Sequence, residues 1–388
     1  MKEFILPFGP QHPAIIEPLH LRLKVNGEKI TGVDLQLGYN HRWIEKIFES
    51  RWWIKNIYLA ERICGICGHA HTSAYLGGVE KLLNIQITPK AAHTRLIIFE
   101  LERLHSHMLA LGIMALESGF DTLFHYVFRD RELVMEMLEL LSGNRVHFSM
   151  NVLGGVRKDI EKKQQDEVEK RLDKLEERVN HYLKVFQKDM AFVRRMRGIG
   201  VLSERKANEL NPVGPVARAS GIKHDIRNED YFVYSDLKFK MVMGENGDVL
   251  ERTVVRLKEC LESIRLIREA FIKMPQGDLA SKFPPIVKVP AGEATSSVEA
   301  PRGELFYYIK SDGSEKPYRV KIRTPTYANM SSIKEMLSNS QLADVPVIVA
   351  SMDPCISCTD RMTIIDSKTR KEKILTKEDL RNMNICER

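Results

Sequence analysis

The sequence predicts an α+β protein: an elongated helical bundle with a small N-terminal β-sheet and additional short strands near the C-terminal third. Two observations carry this. The apolar period is 2 before residue 40 and becomes 3.6 from Arg42 onward, and the helical windows are too long for a doubly wound sheet. In the first region Leu19, Leu21, Leu23 and Val25 alternate with His20, Arg22 and Lys24. Asn26-Gly27 then turns the chain into Ile30 to Leu37, a hairpin signature. Ahead of the hairpin, the segment from Gly9-Pro-Gln-His-Pro13 to Glu17 reads as a loop, because its prolines forbid a continuous helix.

Lys90 to Leu116 carries Leu96, Phe99, Leu104, Met108, Leu111 and Met114 on one side and predicts a long helix. Arg129 to Leu141 predicts a second helix. Arg157 to Arg195, with Val168, Leu172, Leu175, Val179, Leu183 and Phe186 at spacings of three and four, predicts a third, and Val249 to Lys273 a fourth. Asn211 to Gly221 reads as loop. Pro284 to Val298 and Leu305 to Val320 read as short strands, candidates to share a sheet with the N-terminal ones. The expected division is 1–40 as a hairpin region, 41–361 as a helical domain and 362–388 as a C-terminal extension.

The 388 residues are 43% apolar and 29% charged, a globular composition long enough to bury a substantial core. The net charge of +7 is spread thinly over 59 basic and 52 acidic residues, without an arginine-rich stripe interleaved with aromatics, so no nucleic-acid partner is expected. No apolar run approaches the roughly 18 residues of a spanning helix. The N-terminus has no basic, apolar and small-residue secretory pattern, which places the chain in the cytoplasm.

Six cysteines under reducing conditions do not make a disulfide framework. Four of them form two C-x-x-C pairs, in Glu61-Arg-Ile-Cys64-Gly-Ile-Cys67-Gly-His-Ala-His71 and in Asp353-Pro-Cys355-Ile-Ser-Cys358-Thr-Asp-Arg361. Thiolates at i and i+3 reach one soft metal from a single turn, and a glycine after each early cysteine lets the backbone fold closely around it. The residues alone leave three uses open: a catalytic soft-metal site, a four-sulfur structural zinc, and a thioredoxin-like pair that lacks its βαβ setting. Cys260 falls inside a predicted helix and reads as a buried small apolar residue. Cys386 is unassigned.

Both cysteine signatures occur in order with Gly9-Pro-Gln-His-Pro13, Glu102-Arg-Leu-His-Ser-His107, Arg218-Ala-Ser-Gly-Ile-Lys-His-Asp225-Ile-Arg227 and Glu299-Ala-Pro-Arg302-Gly303. With this set the chain resembles, over nearly its whole length, the large catalytic subunit of energy-converting, membrane-associated nickel-iron hydrogenases, related to the 49 kDa-type subunit of respiratory complex I. The resemblance implies that Cys64 and Cys355 are terminal thiolates on nickel and that Cys67 and Cys358 bridge nickel to an iron bearing cyanide and carbon monoxide. It implies that Arg302 lies over the metal pair, that Glu17 relays a proton, and that His71 hydrogen-bonds a bridging sulfur. Soft sulfur ligands suit heterolytic cleavage of dihydrogen.

The resemblance also implies partners: a small iron-sulfur subunit, membrane subunits of an ion-translocating complex, and ferredoxin as electron source. The chain would then sit peripherally on the cytoplasmic face of the membrane. Three departures stand out. Arg42-Trp43-Ile44-Glu45 replaces the family's Arg-Gly-x-Glu, which weakens any metal role for Glu45. Arg361 stands where many soluble relatives have histidine, in keeping with the energy-converting branch. Met362 to Arg388 resembles an extension that some members lose on maturation. The competing expectation is a nickel-free relative that handles quinone or a sulfur compound, although quinone chemistry does not need the four cysteines.

Overall fold

A computed structural model describes residues 4–13, 17–229, 231–284 and 286–361; the extension from Met362 and Cys386 lie outside the described residues. The N-terminal alternation forms an antiparallel sheet, β1 (Phe4–Phe8), β2 (His20–Asn26) and β3 (Lys29–Gln36), in that order. Leu21, Leu23 and Val25 are buried, and Lys24 is exposed. Asn26 pairs with Lys29, so the two-residue loop is Gly27-Glu28, one position beyond the expected centre. Gly27, at φ +65°, takes the left-handed conformation that such a turn requires.

The chain continues through α1 (Ile44–Phe48), α2 (Lys55–Glu61), α3 (Gly68–Leu83), α4 (Pro89–Glu117) and α5 (Asp121–Ser142), then the two-residue strands β4 (Asn151–Val152) and β5 (Gly155–Val156). It goes on with α6 (Lys162–Lys188), α7 (Met190–Met196), α8 (Glu204–Leu210), α9 (Pro215–Ala219) and α10 (Val249–Lys273). Last come β6 (Gly292–Ala300), β7 (Gly303–Ser311), β8 (Arg319–Arg323), α11 (Pro325–Leu337) and α12 (Val345–Met352). The centre of the bundle is α4, which packs on α5, α10 and α12. Pro89 at its first turn and the Thr88 hydroxyl, which accepts from the Ala91 N–H, set where it starts.

Four expectations are corrected. The helix expected over Arg157 to Arg195 starts at Lys162, where Glu161 and Gln164 form a capping box, and breaks at Asp189. The Asp189 carboxylate accepts from Ala191 and Phe192 and opens α7 as a separate helix. The supposed loop at Asn211 to Gly221 contains α9, started by Pro215. The strand expected from Pro284 begins only at Gly292, and Leu305 to Val320 spans a turn between β7 and β8. Finally, β6-β7-β8 form a sheet of their own, separate from the N-terminal one.

Two buried cores result. One joins the bundle to the inner face of the N-terminal sheet. The other lies among α2, α3 and the β6-β7-β8 sheet and contains all four paired cysteines. Gly77 and Gly78 allow the close packing of α3 on that sheet, because a Cβ there would come within 2.5 Å of Ser296 Oγ and 2.8 Å of Ile309 Cδ1. Among the described residues no helix is long and apolar enough to cross a membrane.

Candidate metal centre

The fold brings the two distant cysteine pairs into contact. Cys64 and Cys67 lie in the turn between α2 and α3; Cys355 and Cys358 follow the end of α12. Cys64 Sγ is 3.3 Å from Cys355 Sγ, Cys355 Sγ is 3.0 Å from Cys358 Sγ, and Cys358 Sγ is 3.4 Å from Cys67 Sγ. All four are buried and unoxidised. Hydrogen bonds from Cys355, Cys358 and Cys67 hold Cys64 well below the ordinary thiol range, while hydrogen bonding with Cys355 pushes Cys67 and Cys358 well above it. Four cysteine sulfurs gathered away from water, one of them biased toward the thiolate, are a site for a soft cation.

Backbone hydrogen bonds shape both pairs. The Ile66 N–H donates to Cys64 Sγ at 3.3 Å, and the Cys355 N–H donates to Thr326 Oγ1 at 3.0 Å. Glu102 on α4 accepts from the His69 and Ala70 N–H groups at 2.6 and 2.9 Å, so it caps the helix that begins at the first pair. Burial nevertheless pushes Glu102 well above the carboxylate range. Arg42 joins the pairs: its Nη2 donates to Ile63 O at 2.7 Å and to Ser357 O at 2.8 Å. Asp360 holds that segment by accepting from the Arg42 and Ile44 N–H groups at 2.6 and 2.8 Å. Glu45 is committed elsewhere, to Lys321 at 2.7 Å, Arg361 at 3.0 Å and the Ile322 N–H at 3.1 Å.

Arg302 is buried beside the sulfurs. Its Nε and Nη2 donate to Asp353 O and Oδ1, each at 2.7 Å, and its cation interacts with Asp353, Cys355, Cys64 and Cys67. The turn that carries it lies backbone to backbone on Gly214, where a Cβ would come within 2.4 Å of Arg302 O. The Glu17 carboxylate enters the later pair, where Oε2 accepts from the Ile356 N–H and, at 3.0 Å, from the Ser357 N–H. Burial pushes its pKa up against the lowering pull of Arg302. His71 Nδ1 is 2.8 Å from the Tyr307 hydroxyl, and burial drops the imidazole pKa to about 4, so the ring is neutral.

The donor set tests whether a nickel-iron group suits these residues. Arg302 Nη1 and His71 Nε2 are buried and have no hydrogen-bond partner among the described residues. Buried donors are rarely left unspent. Four soft sulfurs, a buried guanidinium with one free N–H face and a free imidazole nitrogen fit a metal pair with anionic ligands better than a zinc staple, which needs only the sulfurs.

Beside the centre lies a buried ion network. Arg218 reaches Asp225 at 3.0 Å and Glu259 and Glu299 at 2.7 Å each; Arg227 reaches Asp225 at 2.7 Å; Arg103 reaches Glu100 at 3.0 Å. His107 Nε2 is 2.8 Å from Glu259. Burial opposes charge on Glu259, yet Arg218 foremost overcomes it and holds the carboxyl well below its ordinary range. Arg103 also donates to Glu299 O and Ala300 O, which ties α4 to the strand end leading into Arg302.

All seven residues singled out from the sequence are thus found at or around the sulfur cluster. Sequence reasoning missed the roles of Arg42, Asp353, Glu102, Tyr307 and Thr326. Asp353 and Glu102 stand inside the recognised segments and were within reach. Tyr307 and Thr326 carry no local signal.

Comparison with known proteins agrees with this geometry. Residues 117–288 and 281–361 match the family described as respiratory-chain NADH dehydrogenase, 49 Kd subunit, and residues 42–112 match nickel-dependent hydrogenase. The chain is 41% identical to the carbon monoxide-induced hydrogenase of Rhodospirillum rubrum, over 93% of this chain and 100% of that one. It is 40% identical to the membrane-bound hydrogenase subunit alpha of Pyrococcus furiosus, over 98% and 92%. Among solved structures it resembles a chain of the membrane-bound sulfane sulfur reductase, an archaeal respiratory membrane complex, with TM-score 0.88, 32% identity and coverage of 92% and 98%.

Proposed function

Because the chain belongs to the family that unites nickel-iron hydrogenase large subunits with the 49 kDa-type subunits of respiratory NADH dehydrogenases, we propose that it is the catalytic large subunit of a membrane-associated nickel-iron hydrogenase, reducing protons to dihydrogen. Electrons reach it from a small iron-sulfur subunit, with ferredoxin as their source, and the reaction is coupled to ion translocation at the cytoplasmic face. The single observation that carries this reading is the convergence of four buried cysteines beside two buried, unspent donors, Arg302 Nη1 and His71 Nε2.

In this reading Cys64, Cys67, Cys355 and Cys358 would hold the nickel-iron group through their four sulfurs. When bound, that group would supply reversible heterolytic cleavage of dihydrogen. The protein supplies the rest. Glu17 Oε2 is occupied by two backbone N–H groups, which leaves Oε1 as the oxygen that takes and releases a proton. Burial raises its pKa, which favours uptake of that proton over the ordinary carboxylate. Asp353 fixes the Arg302 fork and keeps Nη1 free for an anionic ligand. Burial keeps the Tyr307 hydroxyl protonated, so it donates to His71 Nδ1, and the imidazole proton therefore sits on Nε2, available to a bridging sulfur.

Metal analysis of the purified complex tests the proposal: one nickel and one iron per chain, with hydrogen evolution from reduced ferredoxin, is the expected result. Similarity to the sulfane sulfur reductase favours a second reading, a nickel-free sulfur-reducing subunit. Sulfide production by a nickel-free complex, without hydrogen evolution, would replace the first reading with the second. Zinc alone would make the cluster a structural staple.

A further inference from the structure

Arg131 on α5 is half-buried, and both of its hydrogen bonds among the described residues go to one neighbour, His105 of α4. Its Nε donates to the main-chain oxygen at 3.2 Å, and its Nη2 meets ring Nε2. It forms no ion pair among those residues, and the adjacent Glu132 is held by Arg145. The two helices come this close because Gly112 of α4 has no side chain; a Cβ there would lie 2.6 Å from Phe128 Cε2. Burial opposes the Arg131 charge, and a guanidinium desolvated without a carboxylate beside it calls for a reason.

The contact decides where the imidazole keeps its proton. A guanidinium has donors only and stays charged, so His105 Nε2 accepts. Burial first, and then Arg131, lowers the His105 pKa to about 3, so the ring is neutral and holds one proton. That proton is on Nδ1. His105 is only 1% exposed, and Nδ1 is buried without a hydrogen-bond partner among the described residues. His71 is the mirror case, where Tyr307 occupies Nδ1 and leaves Nε2–H free.

Glu102, His105 and Leu109 follow one another at steps of three and four and so share a face of α4. Glu102 caps α3 at the first cysteine pair, and Leu109 lines a cavity with Ile66 and Arg302. His105 stands between those two points, close enough for its ring to feel the charges of Cys64 and Arg302.

We propose that Arg131 is a positioning residue of the metal centre: it locks the His105 imidazole in the Nδ1–H form and so offers the bound group a third buried N–H donor, beside Arg302 Nη1 and His71 Nε2. That the donor serves a bound group rests on the hydrogenase reading given above; the locked ring does not. No proton or electron moves in this role.

The test uses the purified complex with histidine labelled by ¹⁵N at Nδ1 alone. Solid-state nuclear magnetic resonance separates a protonated ring nitrogen from a bare one, and the His105 signal is assigned through its loss in His105→Gln. In the parent, His105 Nδ1 should read as protonated. In Arg131→Leu, which takes the donors away, most of that signal should pass to the bare form; Arg131→Lys, which keeps a cationic donor, should largely restore it. A bare Nδ1 in the parent overturns the proposal whether or not the variants fold, as does an unchanged signal in Arg131→Leu. Nickel content at limiting metal reads the donor role. Arg131→Leu and His105→Gln should each lower it by about tenfold, the lower range for removing a group that orients ligands. The double variant should fall no further, because Arg131 acts through His105. Parent-level nickel in His105→Gln, or additive losses in the double variant, overturns that role. A parent complex without nickel and without hydrogen evolution would defeat the functional reading alone, since the nitrogen signal would still decide what Arg131 does to the ring.

Discussion

Replacing Arg42 by alanine should loosen the metal centre without unfolding the protein. One guanidinium nitrogen joins the two cysteine pairs by donating to the carbonyls of Ile63 and Ser357, the residues immediately before Cys64 and Cys358. Each bond is partly or fully open to solvent, so water replaces much of what is lost, and about 1 kcal/mol per bond is a fair charge. Two such bonds make about 2 kcal/mol, close to a thirtyfold rise in the population of locally opened pairs. The assay is thiol labelling of the full-length, nickel-free chain with an aromatic disulfide reagent. The four buried cysteines should react about thirtyfold faster in Arg42→Ala, with unchanged helical circular dichroism. Nickel occupancy at limiting metal should fall about tenfold to a hundredfold, as expected when groups that orient ligands are removed. Parent-rate labelling together with full nickel loading would refute the idea that Arg42 clamps the site.

Serine at any one of positions 64, 67, 355 or 358 should abolish hydrogen evolution and leave the circular dichroism spectrum intact, because a hydroxyl is a poor soft ligand and the bundle core does not depend on it. Full activity in two such variants would remove the metal assignment. Glu17→Gln should cut hydrogen evolution by about tenfold to a hundredfold at unchanged metal content, since the amide cannot carry a proton at neutral pH; metal analysis beside the rate measurement checks it. Stability should fall as pH drops below about 6.5. Burial lowers the pKa of His105 to about 3 and of His107 to about 4, so the unfolded chain takes up protons that the folded chain refuses. Their contribution is complete above the unfolded pKa and is lost toward the folded values at about 1.4 kcal/mol per pH unit each. Urea midpoints measured from pH 7.5 to 5 should fall along that slope, and His107→Gln should flatten it.

The local sequence determined whatever follows from short-range periodicity and capping. Leucine and valine alternation wrote the β2–β3 hairpin, the 3.6 period wrote α4 and α10 nearly to their ends, and the i, i+3 spacing of cysteines wrote two half-sites. Helix breaks were less legible: Asp189 stops one helix and caps the next with a side chain that continues a charged pattern. The convergence of the half-sites was another matter. Cys64 and Cys355 stand 291 positions apart, and no local rule states their separation in space. It is set by α3 lying on the β6-β7-β8 sheet through Gly77 and Gly78, by α12 packing on α4, and by Arg42 joining the two turns. Glu17 illustrates the same division. In the sequence it is a carboxylate in a proline-rich loop, indistinguishable from a solvated one. Only the fold places it against the Ile356 and Ser357 N–H groups, where lost solvation changes its proton affinity. The types of chemistry available are written in the residues, whereas burial and the contact of remote segments, which turn those residues into a centre, belong to tertiary packing.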